Sequence, residues 1–518
     1  MEISLSPAYG DSIVETSNAG PVILNPILCP DSVTRRTCGL IFSGLVKEGP
    51  ELNMLGDLAD TWEISLESRE ITFHLKKNVR WHDAAPFNAW DVLFTYQKIA
   101  DPKTQTYDRE NFSQVKTVEV IDPDTVRVRY DNLTPAALEA WSIGIIPRHL
   151  FLNEDINTSK YNQQAIGTGP FRLKNWEPQT RVVLEANLDY FNGRPYADRY
   201  ILKIIPDPSM QFLELLKENV DIFAITTDQF IKQADTPEFT SKFNVFRYPQ
   251  RVYNFLSFNL LNPFFQDRKV RQALCLATDR QKIIDNALYG MGTLITGPFP
   301  PFFWAYDKSV KPWPYDPEKA RQMLNESGWK DTDSDGILER DGKKFQVEIV
   351  TNNGNDTRKL AACMIRDYWK DVGVSASVRF VDWNALMDIC DYKSYDTMIL
   401  GWSHNVDPDP YRRWHSSQMP DKEKGKMGDN FMSYSNPEVD RLLEEARKIT
   451  DQAEREKMYH RFHQILADEQ PYIFIYATDM IYAVHKRIHG IKLEPAGIRY
   501  NFENWYVPKQ YQKYGELE

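Results

Sequence analysis

The sequence predicts an α/β protein in which a β-rich first half is followed by a half where strands and helices alternate. Three observations carry this. Between residues 61 and 205, short runs alternate apolar and polar residues with the period of a half-buried strand. From residue 267 onward, capped helices alternate with short apolar runs, which argues for a second lobe with its own core. Near Ile473 the chain comes back as strand.

The elements follow in order. Residues 20–46 pass through a polar loop at 29–34 into a stretch, 38–46, with the apolar spacing of a core-packed helix. Residues 71–76, 118–121 and 125–130 read as strands, the last two joined by the turn Asp122-Pro-Asp-Thr. A helix beginning near Asn88 carries Trp90, Val92, Leu93 and Tyr96 on its apolar side. Residues 171–176, 182–186 and 200–205 form another strand group, followed by a helix capped by Asp207 with Pro208 in its first turn. Helices then start at Asp267 and cover 279–288 and 317–327, the last two ended by Gly290 and Gly328. Strands at 345–351, 374–381 and 398–402 alternate with a helix over 357–371, before helices at 436–449 and 451–469. The final strand covers 473–484.

A chain of 518 residues is roughly three domains' worth of material. Its 42% hydrophobic and 26% charged residues are ordinary for a soluble globular protein. No stretch approaches the roughly 20 apolar residues of a membrane span. A net charge of −11 argues against nucleic acid and anionic membrane surfaces as main partners. Aromatic residues, at 13%, suit both a large core and a site that grips solutes between flat faces. The five cysteines are too scattered for a disulfide framework, although Cys29 and Cys38 are near enough in sequence to pair in an oxidising compartment. The opening Met-Glu-Ile-Ser-Leu-Ser-Pro has no basic region followed by an apolar core. It fits either a cytoplasmic protein or a mature form with its export signal removed and a start Met added.

Catalytic motifs are absent: there is no Gly-x-Ser-x-Gly, His-Glu-x-x-His or Cys-x-x-Cys. His460 and His463 lie one helical turn apart and read as a solvated helix face. Gly167-Thr-Gly-Pro170 reads as a turn, because Pro170 removes a donor that a phosphate loop needs. Asp331, Asp333 and Asp335 match the first half of a calcium loop, with Gly336 at the sixth position. The twelfth is Gly342 and not the bidentate Glu, so an Asp/Gly-rich hairpin turn is the preferred reading. No cofactor is expected. A candidate binding loop follows the strand at 398–402, where Gly401 and Trp402 lead into Ser403, His404, Asn405, Asp407 and Asp409. Trp402 offers a flat apolar face and the loop offers acceptors, at the kind of strand end where ligands of open α/β sheets bind.

Several segments together resemble the family 5 extracellular solute-binding proteins, the oligopeptide-, dipeptide- and nickel-binding components of ABC importers. They are Glu70-Ile-Thr-Phe-His-Leu-Lys-Lys-Asn-Val-Arg-Trp-His-Asp83 with Pro86 to Tyr96, Gly167-Thr-Gly-Pro-Phe171, and Asn259 with Phe265 to Leu274. Gly401-Trp402 and Tyr434-Ser-Asn-Pro-Glu-Val-Asp440 complete the set. The resemblance implies a two-lobed, three-domain periplasmic-binding-protein fold (type II, large peptide-binding class) with two hinge strands and ligand enclosed between lobes. Residues 1–44, 166–260 and 481–518 would form a discontinuous domain I, 45–165 an inserted β-rich domain II, and 261–480 an α/β domain III. It also implies a ligand site drawn from Gly401, Trp402, Ser403, His404, Asn405 and Asp407, with Cys29, Asp31, Ser32, Tyr253, Asn254 and Phe255.

Peptide-binding members commonly read Gly-Trp-x-x-Asp, the Asp holding the peptide's amino terminus as a charge-assisted pair. This chain has Asn405 there and Ile399 where an Arg is sometimes found, so Asp407 or Asp409 is expected to supply the charge. The function implied is that of a monomeric, non-enzymatic receptor in the periplasm or outside the cell. It would be held near the membrane by its transporter or a lipid anchor, and would hand oligopeptides to the permease subunits. The alternatives are the same fold binding an oligosaccharide or a metal chelate and, more distantly, a secreted hydrolase.

Overall fold

The computed structural model describes residues 5–421 and 428–514; residues 1–4, part of the opening segment weighed above for export, lie outside them. The chain forms two compact units, Met1–Tyr248 with Ile481–Glu518, and Pro249–Met480. Their boundaries fall inside two long strands, so the chain passes between units twice, each time in extended conformation.

In the first unit, β1 (Ser12–Ser17) is followed by a helix, Ser32–Ile41. This helix starts six residues before the apolar stretch expected at 38–46. Asp31 caps it by accepting from the Thr34 amide at 2.8 Å, and the chain leaves helical geometry at Phe42. A hairpin follows, β2 (Val46–Glu48) with β3 (Met54–Gly56). Next come β4 (Ala59–Ser65), β5 (Glu70–Leu75), β6 (Val115–Asp122) and β7 (Thr125–Tyr130), which form an antiparallel sheet in the order β4-β5-β7-β6. Alternation in β5 and β7 buries Ile71, Phe73, Val126 and Val128 on one face, against Trp81 and Trp141. The helix Ala89–Ala100 joins that core behind a capping box made by Asn88 and Asp91.

A second sheet of this unit contains β8 (Phe171–Glu177), β9 (Arg181–Ala186), β10 (Arg199–Ile204) and β11 (Ile222–Ala224). β8, β9 and β10 pair antiparallel in sequence, and β1 is parallel to both β10 and β11. Gly167 and Gly169 precede β8 and press against the Ile41 carbonyl, with Gly169 donating to it at 2.8 Å. A Cβ on Gly167 would lie 1.9 Å from that oxygen, so the glycines allow a close approach and cradle no phosphate.

The second unit takes the latter part of β12 (Phe243–Phe258), β13 (Gly292–Leu294), the two-residue pair β14 (Glu339–Arg340) and β15 (Lys343–Lys344), then β16 (Gln346–Asn352), β17 (Ser375–Val381), β18 (Thr397–Ser403) and the first part of β19 (Tyr472–His485). β16 runs parallel to β17 and β18, β18 pairs antiparallel with β12, and β13 pairs with β19. Helices Arg268–Leu276, Pro317–Glu326 and Asp356–Lys370 pack their buried faces into a core that includes Phe258, Trp329, Phe345 and Trp369. All five cysteines are free thiols, Cys29 and Cys38 included.

His463 corrects the solvated-face reading. It is fully buried, its Nδ1 accepting from the Asp307 amide at 3.1 Å and its Nε2 lying 2.9 Å from the Thr296 hydroxyl, in space that Gly297 leaves open. His82 likewise bridges Gly167 and Gly169, and His404 reaches the Pro298 carbonyl at 2.7 Å. Burial lowers all three pKa values, to about 4 for His82, about 3 for His404 and about 4 for His463. Each imidazole is neutral in the fold but protonates near pH 6.5 once unfolded. The stability they contribute is therefore complete above pH 6.5 and lost as the pH falls toward 4, by on the order of 2–3 kcal/mol each. Urea denaturation followed from pH 7 to pH 4 is expected to show this loss. In His404→Gln the pH slope over that interval should drop by about one proton relative to wild type.

Candidate functional site

The end of β18 is the place to build from. Gly401 sits opposite Asn254 in the β12 ladder, and Trp402 opposite Tyr253. A side chain at Gly401 would be met at 2.6 Å by Nη2 of Arg358 and at 2.9 Å by Oδ1 of Asn254, so the glycine makes room for a guanidinium. Arg358 stands in the first turn of the helix Asp356–Lys370, which follows β16. Its Nε donates to Asn254 Oδ1 at 3.0 Å and its Nη1 to Asn352 Oδ1 at 3.1 Å. Among the described residues no carboxylate pairs with it. Burial consequently pulls its pKa below the usual arginine range, with only the nearby Tyr476 opposing. Tyr476 is itself 1% exposed, and its hydroxyl has no hydrogen-bond partner among the described residues. A cation thus stands where two amide oxygens position it without neutralising it, with the Tyr476 phenol in its electrostatic reach. That arrangement suits a ligand carboxylate.

Trp402 lies on the other side of the same strand. Its ring is half-buried and stacks with Phe255 (6.3 Å between centroids) and Phe431 (5.8 Å). The Arg413 guanidinium lies 4.8 Å over the ring and donates to the Ser403 carbonyl at 2.6 Å. Phe255 and Tyr253 are core residues, Phe255 stacked on Tyr472 at 4.0 Å and Tyr253 on His404 at 5.5 Å. Ser403 and Asn405 are exposed.

The two loop carboxylates are otherwise engaged. Asp407 receives both terminal nitrogens of Arg455, at 2.6 and 2.7 Å, and Asp409 binds Arg447 at 2.7 Å while capping Tyr411. The expectation that either supplies a free charge for an ammonium is therefore not met by this geometry. The partners that hold them lie 48 and 38 residues further along the chain.

Three expected site residues lie in the other unit. Asp31 uses both carboxylate oxygens on Thr34, Ser32 opens the helix as an exposed residue, and Cys29 is buried with its thiol 3.3 Å from the Asn25 carbonyl. The sequence reading missed Arg358, Asn352 and Tyr476. One signal was there for Arg358: a cation in the first turn of a helix opposes the macrodipole and needs a reason to be there.

At the calcium candidate, carboxylate oxygens of Asp331, Asp333, Asp335 and Glu339 lie within 4.8 Å of one another. Lys344 enters this cluster, binding Asp333 at 3.0 Å and also Asp335, while Glu339 accepts from the Thr332 amide at 2.9 Å. The loop is a hairpin turn in which Lys344 meets two of the acids, and Glu339 and Asp331 accept from backbone amides of the turn. Excess EDTA is expected to leave the melting temperature unchanged, since a folded-state calcium site would stabilise by mass action. A fall in melting temperature that added calcium restores would refute this.

The geometry defines an α/β protein with a cationic strand edge, and comparison places it in a class. Residues 53–423 match the family model of the bacterial extracellular solute-binding proteins, family 5 Middle. The oligopeptide-binding protein AppA of Bacillus subtilis (strain 168) is 33% identical over 97% of this chain and 93% of its own length. A structure of that AppA with a nonapeptide superposes with a TM-score of 0.79 at 31% identity, covering 97% of this chain and 100% of that one. NikZ from Campylobacter jejuni, in complex with Ni(L-His), superposes at 0.77 with 31% identity, covering 96% and 99%. The chain belongs to the family 5 bacterial extracellular solute-binding proteins and has their mixed α/β fold. Among the described residues, no helix is long and apolar enough to cross a membrane.

Proposed function

We propose that this protein is the extracytoplasmic receptor of an ABC importer, which captures oligopeptides and delivers them to the membrane permease. The observation that carries the peptide reading is Arg358 at Gly401, a partly buried cation held by the Asn254 and Asn352 amide oxygens with no acidic partner among the described residues. The near full-length similarity to AppA supports the same reading. A peptide offers a terminal carboxylate to the guanidinium, and extended main chain can pair without regard to sequence. No bond is made or broken. Trp402, with Ser403, His404 and Asn405 beside it, contributes an aromatic wall, and Gly401 admits the guanidinium. The receptor works outside the cytoplasm, near the membrane through its transporter or a lipid anchor.

A second reading, a metal–amino-acid chelate, is favoured by the likeness to NikZ with Ni(L-His) and by the absence of a free loop carboxylate for an ammonium. Mass spectrometry of ligand released from denatured protein separates the two. Peptides are expected, and a nickel–histidine complex would move the assignment. In calorimetry, Arg358→Gln should weaken a peptide with a free terminal carboxylate by roughly 1.5–3 kcal/mol, as for a lost charged hydrogen bond, and its C-terminal amide far less. Equal losses for both peptides would remove the carboxylate role.

A further inference from the structure

The first unit holds a charge cluster that does not balance. Glu15 projects from β1 and is almost fully buried. Its Oε1 meets Arg36 at 3.3 Å and Arg499 more closely, while Oε2 accepts from the Tyr200 hydroxyl at 2.7 Å. Two guanidiniums therefore share one carboxylate. Among the described residues no second carboxylate pairs with either guanidinium, so one positive charge is left over. Arg499 also lies over the Tyr482 ring, 5.3 Å from its centroid. Nε of Arg36 and Nε of Arg499 are both buried and have no acceptor among the described residues. Neither side chain is sealed away: Arg36 is 29% exposed and Arg499 21%. An excess cation held out of bulk water with donors unused is costly unless an anion joins it.

We propose that Arg36 and Arg499 form an anion subsite that accepts a carboxylate of the bound solute, so that the receptor prefers peptides bearing an acidic residue. This rests on the solute-receptor reading above. The carboxylate brings the cluster to two cations and two anions. Neutral peptides bind without this contribution.

The test uses tetrapeptides of Ala with one Gln, and the same peptides with Glu in its place, at each position in turn. Wild type is expected to bind the Glu form about tenfold more tightly at one position. Arg36→Gln should bring that ratio to near one and keep the affinity for the Gln form. Because it leaves Glu15 and Arg499 as a matched pair, it should also keep the melting temperature. Arg36→Lys, which retains the charge, should keep part of the preference. A ratio near one at every position in wild type, or a preference that survives Arg36→Gln, would overturn the proposal. So would equal losses for both peptides together with a lower melting temperature, the result of a purely structural role. If neither series binds wild type, the peptide reading itself fails, and glutarate alone becomes the probe. Glutarate binding that disappears in Arg36→Gln upholds the subsite, and binding that is absent or unchanged refutes it.

Discussion

The first unit is built from segments nearly 500 residues apart, and one buried guanidinium holds them together. Arg487 binds Asp221 through Nε at 2.6 Å and Nη2 at 2.5 Å, Asp11 through Nη1 at 2.5 Å, and the Ser12 carbonyl at 2.8 Å. The same carboxylates accept from backbone amides: Asp221 from Val14, and Asp11 from Ser12, Lys513 and Tyr514. All three side chains are at most 2% exposed. A buried ion network is tolerable only when every member is satisfied, and here backbone from the start and end of the chain completes it around the Asp221 side chain from the middle. It adds a buried charge network to the strand pairing that already joins β1, β11 and the end of β19.

The same physics, with the opposite result, marks the candidate site. Arg358 is placed as carefully as Arg487, between two side-chain amides and over a glycine, but nothing acidic reaches it. Protein of net charge −11 supplies many carboxylates, so a half-buried cation without one is a specific feature of this edge. Arg413 reinforces it, held by a carbonyl and an aromatic face. In the loop that follows, the arrangement is reversed. Asp407 and Asp409 are locked to Arg455 and Arg447 and shape the backbone, while exposed Asn405 carries no charge. The edge presents cations and withdraws anions, which is the polarity a carboxylate-bearing solute needs.

Glycine does much of this positioning by its size. Gly401 admits Arg358, Gly297 admits the His463 ring, and Gly167 and Gly169 let β8 begin hard against the end of the helix Ser32–Ile41. None of the three sites has a positive φ, so close approach is the requirement at each.

Local pattern was readable because its causes are local. Alternation marked β5, β7, β9 and β10; Asn88, Asp207, Asp267, Asp279 and Asn436 announced helix starts because a cap bonds within three residues of itself. The order of segments was enough to suggest the family, and Trp402 was placed at a strand end. What could not be read was which charges meet. Asp407 looked available in the loop, His463 looked solvated on its helix, and neither Arg358 nor Arg36 was singled out. Their states are set by Arg455, Thr296, Asn254 and Glu15, residues from 21 to 167 positions away. Sequence by itself determined the elements and their order, since helix caps and strand periods depend on neighbours along the chain. Only the tertiary structure decided which ionisable groups are neutralised and which are left without a counter-ion, because charge pairing depends on distance in space and on burial, and neither is written in sequence separation.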